Sequence, residues 1–219
     1  EYFHYTQDMI GLNVLINAGP TYEAIDPVRY IGNHSTGKMG VAIADEFAQR
    51  GADVHLVLGP ESVEPENNRI HIEKVTSADE MLEACSRQFE KSDVTVLAAA
   101  VADYKPSKIA PEKIKKSDGP LTLELVRTPD IASSVGKLKR NGQILVGFAL
   151  ETTDGEKNAR DKMLKKNMDM IVLNNPRDTG AGFGHDTNKV SFLFPDNKEK
   201  HFELKSKKTV AHDIVEAIH

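Results

Sequence analysis

The chain has 219 residues, 39% hydrophobic and 28% charged, an ordinary globular mixture able to bury one large core or two small ones. With 28 Lys and Arg against 33 Asp and Glu, its net charge of −5 argues against a dedicated DNA or RNA binder. No apolar run reaches the roughly 20 residues of a membrane-spanning helix, and the start, Glu1-Tyr2-Phe3-His4-Tyr5, has no basic region followed by an apolar one. The single Cys85 excludes an internal disulfide and a multi-cysteine metal site. These features point to a cytoplasmic protein without membrane association. The missing initial Met suggests a fragment or a processed chain.

Residues 1–11 lack periodicity and read as a leader or linker, and residues 12–219 as one domain. The short apolar run Leu12–Asn17 reads as a buried strand, followed by a loop broken at Gly19-Pro20 and Asp26-Pro27. Met39, Ile43 and Phe47 share one helix face, and Gly51 is the stop. Val54–Leu58 and Ile70–Val75 read as strands, with a helix over Ala78–Phe89. Asp93–Ala100 is an apolar strand of the kind that helices cover on both faces. Residues 101–120 form a long lysine-rich loop. Thr128-Pro129-Asp130 reads as a helix start, with Thr128 as the cap. Ile144–Phe148 is a strand, Glu156–Asn167 a helix, Met170–Leu173 a strand and 174–187 a loop. Val190–Phe194 and His201–Leu204 form an antiparallel hairpin, and a helix over about 208–218 closes the chain. About five parallel strands alternating with helices, then a hairpin, make a doubly wound α/β domain. Ligands of such sheets bind beyond the carboxyl ends of the strands.

Four segments near those ends could carry chemistry. The run from Arg29 to Gly40 ends where the first helix begins, and small residues, hydroxyls and free N–H groups there can hold an anion. Gly32-x4-Gly37-Lys38 departs from a P-loop at Met39, where a magnesium-binding hydroxyl is required. A capped surface loop is the plain alternative. Ala98 to Tyr104 offers small residues against which a flat ring can lie, with Asp103 able to bind ribose hydroxyls, a base amino group or magnesium, or simply to cap a turn. Lys105, Lys108, Lys113, Lys115 and Lys116 stand against Glu112 alone, which suits a small polyanion such as a polyphosphate, or a solvated surface run. Lys162 and Lys166, four apart, share a helix face and could reach a triphosphate, or only solvent. No histidine pair has metal-binding spacing, so metal ligands are not legible. Cys85 lies on an apolar helix face, as a packing residue does.

Seven segments in chain order resemble one family: Asn17–Thr21, Asp26–Ile31, Asn33–Gly40, Ala98–Tyr104, Ala110–Lys116, Thr128–Ile131 and Gly147–Thr152. The chain is similar to the phosphopantothenoylcysteine synthetases, the C-terminal half of the bacterial bifunctional coenzyme A biosynthesis protein. That resemblance implies a Rossmann-like, mostly parallel sheet with helices on both faces and a C-terminal antiparallel hairpin. It implies ligation of 4′-phosphopantothenate to L-cysteine through an acyl-cytidylate made from CTP with Mg2+, releasing pyrophosphate and then CMP. It assigns Leu97, Ala98, Ala99, Asp103, Pro129, Asp130, Ile131, Ala132 and Phe148 to the nucleotide, and Lys113, Lys162 and Lys166 to its phosphates. Asn33, Arg29 and Ala100 match positions tied to the acyl-cytidylate and its conversion, and Lys113 to its formation. A homodimer, fused to or assembled with a decarboxylase domain, is also implied. Thr36 and Leu150 depart conservatively from the usual pattern. A nicotinamide-dependent oxidoreductase, disfavoured by the missing G-x-G-x-x-G, and a non-catalytic nucleotide-binding module are the alternatives.

Overall fold

The computed structural model describes residues 7–116, 118–151, 154–175, 180, 182 and 184–219. The first six residues of the expected leader, Ser117, Thr152 of the last motif, and residues 176–179, 181 and 183 of the expected 174–187 loop lie outside the described residues.

In chain order the elements are β1 (Asn13–Ala18), β2 (Tyr22–Ala24), β3 (Tyr30–Gly32), α1 (Lys38–Gln49), β4 (Asp53–Leu58), β5 (His71–Lys74), α2 (Ala78–Phe89), β6 (Val94–Leu97), β7 (Tyr104–Pro106) and β8 (Leu125–Arg127). Then come α3 (Ile131–Leu138), β9 (Ile144–Leu150), α4 (Gly155–Lys165), β10 (Met170–Asn174), β11 (Thr187–Asn188), β12 (Val190–Leu193), β13 (Glu199–His201), β14 (Lys205–Ser206) and α5 (Lys207–Ile218). One eight-stranded sheet runs in the order β13-β12-β10-β9-β6-β1-β4-β5. The strands from β10 to β5 are parallel, and β12 and β13 add antiparallel at one edge. The doubly wound α/β class is therefore as expected, and each of the six parallel strands matches an expected one.

Two apolar layers sandwich the sheet. Ile43 and Phe47 of α1 and Val210 and Ile214 of α5 pack on one face; Met81 and Cys85 of α2, Val135 of α3 and Met163 of α4 pack on the other. This double cover explains why β6 is wholly apolar but for Thr95. Met9, within the expected leader, is buried in the first layer, and its N–H donates to Arg50 O at 3.1 Å. Helix α2 owes its sharp start to a reciprocal Ser77–Glu80 capping box.

The structure corrects several boundaries. The apolar strand stops at Leu97 rather than Ala100. The loop after β1 contains the β2–β3 hairpin, fastened by stacking of Tyr22 on Tyr30 at 3.8 Å between centroids. The lysine-rich stretch is not all loop, because Tyr104–Pro106 pairs with Leu125–Arg127. Asp130, not Thr128, caps α3, accepting from Ser133 N–H at 2.9 Å. The Thr128 hydroxyl instead donates to Ala102 O, which leaves Pro129 ahead of the cap. Strand β9 runs on to Leu150, and α4 stops at Lys165 because Asn167 turns left-handed, at φ 54°. The second hairpin strand is Glu199–His201 rather than His201–Leu204.

Candidate active site

Strand β1 leads through α1 to β4 on one side, whereas β6 leads through α3 to β9 on the other. Where neighbouring parallel strands diverge in this way, their loops part and open a crevice. A cleft of about 680 Å³ lies there.

Its floor is the chain leaving β6. Asn17, buried at the end of β1, accepts the Ala99 N–H on Oδ1 at 3.0 Å, while its amide faces Met81 Sδ and Cys85 Sγ at 3.7 and 3.8 Å. A side chain thus takes a donor that the sheet ladder would use, and β6 ends. Beyond it, Ala100 N–H donates to Gly19 O at 2.9 Å, and Ala102 N–H to the Thr21 hydroxyl at 3.0 Å. Asn33 Nδ2 donates to Ala100 O at 2.9 Å, so two of the expected catalytic positions meet directly.

One wall comes from the second helical face. Leu97, Ala98, Pro129, Ile131 and Ala132 line it, with Phe148 of β9. Lys162 Nζ donates to Phe148 O at 2.8 Å. Lys166 Nζ lies 2.9 and 2.8 Å from the two Asp130 oxygens. Burial, then the charge of Lys166, hold the Lys162 ammonium below the ordinary lysine range. Partial burial pushes the Asp130 carboxyl up, but Lys166 and the Ser133 N–H outweigh it and keep it below its ordinary value. Asp103 lines the cleft with no ion-pair partner among the described residues.

The opposite wall is the start of α1. Gly37, left-handed at φ 71°, ends the loop without a side-chain cap, so the first amides of the helix are left for other acceptors. Gly40 lets the helix press onto the strand ends: a Cβ there would stand 2.6 Å from Ala18 Cβ and 3.3 Å from Ala98 Cβ. Lys38 Nζ pairs with Asp186 Oδ1 at 2.6 Å. Lys207, first residue of α5, donates to Gly182 O at 3.1 Å and His185 O at 2.6 Å. The cleft therefore carries two cation pairs, Lys162/Lys166 on one side of the sheet and Lys38/Lys207 on the other.

All the expected site residues line this cleft except two. Arg29 pairs with the buried Asp26 and donates to Ile114 O at 3.0 Å, while Asp26 accepts the Ile114 N–H at 3.1 Å. The Arg29 guanidinium holds the Asp26 carboxyl well below the usual carboxylate range. Arg29 therefore pins the lysine-rich segment rather than facing the cleft. Lys113 is exposed on that segment, outside the cleft lining. Lys105 pairs with Asp79 in the first turn of α2. Asn17, Lys38 and Lys207 had no assigned role. Asn17 and Lys38 stand inside motifs already singled out. Lys207 gives no sequence signal, because a lysine opening a helix reads as solvent-facing until its burial is seen.

The sequence matches the DNA/pantothenate metabolism flavoprotein (DFP) C-terminal domain family over residues 9–219. The chain belongs to this family. A crystal structure of the C-terminal domain of Coenzyme A biosynthesis bifunctional protein CoaBC shares its fold with a TM-score of 0.83 at 39% identity, over 97% of this chain and 96% of that one. CoaBC of Haemophilus influenzae is 47% identical over 220 residues, 100% of this chain and 54% of its own. A protein named cysteine/cysteine sulfinic acid decarboxylase, from an unidentified prokaryote, is 50% identical over 208 residues, 95% of this chain and 58% of its own. The chain thus spans about half the length of these curated relatives. The resemblance read from the seven motifs and the Rossmann-like fold are both borne out. No helix among the described residues is long and apolar enough to cross a membrane.

Proposed function

We propose that the chain is the phosphopantothenate–cysteine ligase portion of a coenzyme A biosynthesis protein, using CTP. The observation that carries this reading is one cleft with two cation pairs, on opposite sides of a floor of small residues. Two separately charged substrates, a nucleoside triphosphate and a phosphorylated acid, suit such a cleft.

In this reading the nucleotide lies against Ala98, Ala99 and Phe148, with its phosphates toward Lys162 and Lys166. The carboxylate of 4′-phosphopantothenate attacks the α-phosphorus, the bond to the bridging oxygen breaks, and pyrophosphate leaves. Cations fixed beside the α-phosphate offset the charge that grows there. Lys113 joins them when the segment pinned at Ile114 covers the cleft, and Arg29 acts through that pin. Closure also shields the mixed anhydride from water. The cysteine amine then attacks the acyl carbon, and CMP departs. The Asn33 amide, aligned by Ala100 O, donates to the acyl oxygen as it becomes an oxyanion. Asp103 fits Mg2+, as a hard oxygen donor that would leave the ion its waters and the nucleotide phosphates, and the ion would neutralise phosphate charge.

Exposed Val28, Tyr30, Ile109 and Leu125, on or beside the two small hairpins, support a homodimer. The decarboxylase in the relative's name belongs, in this reading, to the part of such proteins that this chain does not span. The test is pyrophosphate release with CTP or ATP. Release that requires CTP and phosphopantothenate together, with product formed only on adding cysteine, supports the ligase. Binding without release leaves a nucleotide-binding module, and oxidation of added NAD(P)H would favour an oxidoreductase.

A further inference from the structure

Lys207 is held in an environment hostile to its own charge. It is only 7% exposed, although it bears an ammonium. It opens α5, at the positive end of the helix dipole, where a cation is disfavoured. Its partners are two neutral carbonyls, those of Gly182 and His185, and no carboxylate pairs with it among the described residues. Its neighbour Lys38 repels it, and the Asp186 carboxylate attracts it from a distance while hydrogen-bonded to Lys38. A buried ammonium with no carboxylate bonded to it is costly, and a bound anion relieves that cost. Lys207 lines the cleft on the same side as the uncapped start of α1.

We propose that Lys207 is the specificity-determining residue of the second substrate: its buried ammonium, held only by carbonyls among the described residues, binds the phosphate of the acid at the α1 wall and so makes the enzyme reject the unphosphorylated acid. This rests on the ligase reading and deepens it. A neutral hydroxyl in place of phosphate cannot balance the charge, so the unphosphorylated acid gains nothing from Lys207. Lys38, already paired, contributes less.

The test compares wild type with Lys207→Met and Lys207→Arg in the full chain, measuring kcat/KM for phosphopantothenate, for pantothenate and for CTP. Lys207→Met is expected to lower kcat/KM for the phosphorylated acid roughly 10- to 100-fold, the span of one lost charge-assisted hydrogen bond. The value for pantothenate should stay within about twofold, as should the KM for CTP, and Lys207→Arg should recover part of the loss. Equal losses for both acids, or a matching rise in the KM for CTP, would mean a structural role and overturn the proposal. So would an unchanged preference for the phosphorylated acid. Thermal unfolding of each variant separates a folding defect from a binding one, and Lys207→Gln supplies a second neutral replacement if Met does not fold. Wild-type protein that releases no pyrophosphate defeats the ligase reading itself. Wild-type turnover with the preference intact in Lys207→Met defeats only the assignment to Lys207.

Discussion

Gly136→Ala sets helix propensity against packing at the base of the cleft wall that carries Lys166. Gly136 lies inside α3, where replacing Gly by Ala ordinarily gains about 1 kcal/mol. Here α3 crosses the end of α4 so closely that an added Cβ would stand 2.0 Å from Lys166 O and 3.0 Å from Lys166 C. The obstacle is backbone, which has no alternative rotamer, so the helices must part. Overpacking of this kind costs about 1–3 kcal/mol or more, and the rigid neighbour favours the upper end. The net effect is a loss of about 2 kcal/mol, or roughly 4–8 °C in Tm for a chain of this size. Parting the helices also draws Lys166 away from Asp130, and about 1 kcal/mol of lost alignment raises the KM for CTP roughly 5-fold. Thermal unfolding and steady-state pyrophosphate release measure both effects. A Tm equal to or above that of wild type, with an unchanged KM for CTP, would refute the reasoning.

Lys113→Gln is expected to cut formation of the acyl-cytidylate about 100-fold while leaving the fold intact, since Lys113 is exposed; near-normal pyrophosphate release in a single turnover would remove Lys113 from the first step. Asn33→Asp replaces the only N–H group on this side chain with a carboxylate, so it should let the acyl-cytidylate accumulate, visible by mass spectrometry, and a variant with no trapped intermediate contradicts the second-step role. Asp26→Asn weakens the pin on Ile114, so trypsin should cut faster at Lys113, Lys115 and Lys116. The Asp26 carboxyl is depressed in the folded state, so its contribution is present above the ordinary 3.8 and lost as pH falls through its lower folded value. The stability gap between wild type and Asp26→Asn in urea should therefore shrink progressively as pH falls from about 5, and a gap that widens on acidification contradicts the assignment.

Much of this protein is written locally in its sequence. The apolar run of β1 and the spacing of Met39, Ile43 and Phe47 each follow from burial of a short segment, and so name their elements without help. The motif residues around Asn33 and Ala98 mark the cleft for the same reason, because close approach of a ligand needs small side chains there. What the sequence could not supply depends on groups distant along the chain. Asn17 ends β6 by accepting from Ala99, a contact across 82 positions that no periodicity reports. Arg29 stands in a legible motif, but that its guanidinium bonds Asp26 and Ile114, 85 positions away in the second case, is not. Lys207 reads as one more solvated lysine, and only the packing of α5 against the cleft buries it against two carbonyls. Local patterning determined the elements and the family. The tertiary structure decided which charges are paired within the fold and which are buried at the cleft, because desolvation and pairing are properties of neighbours in space.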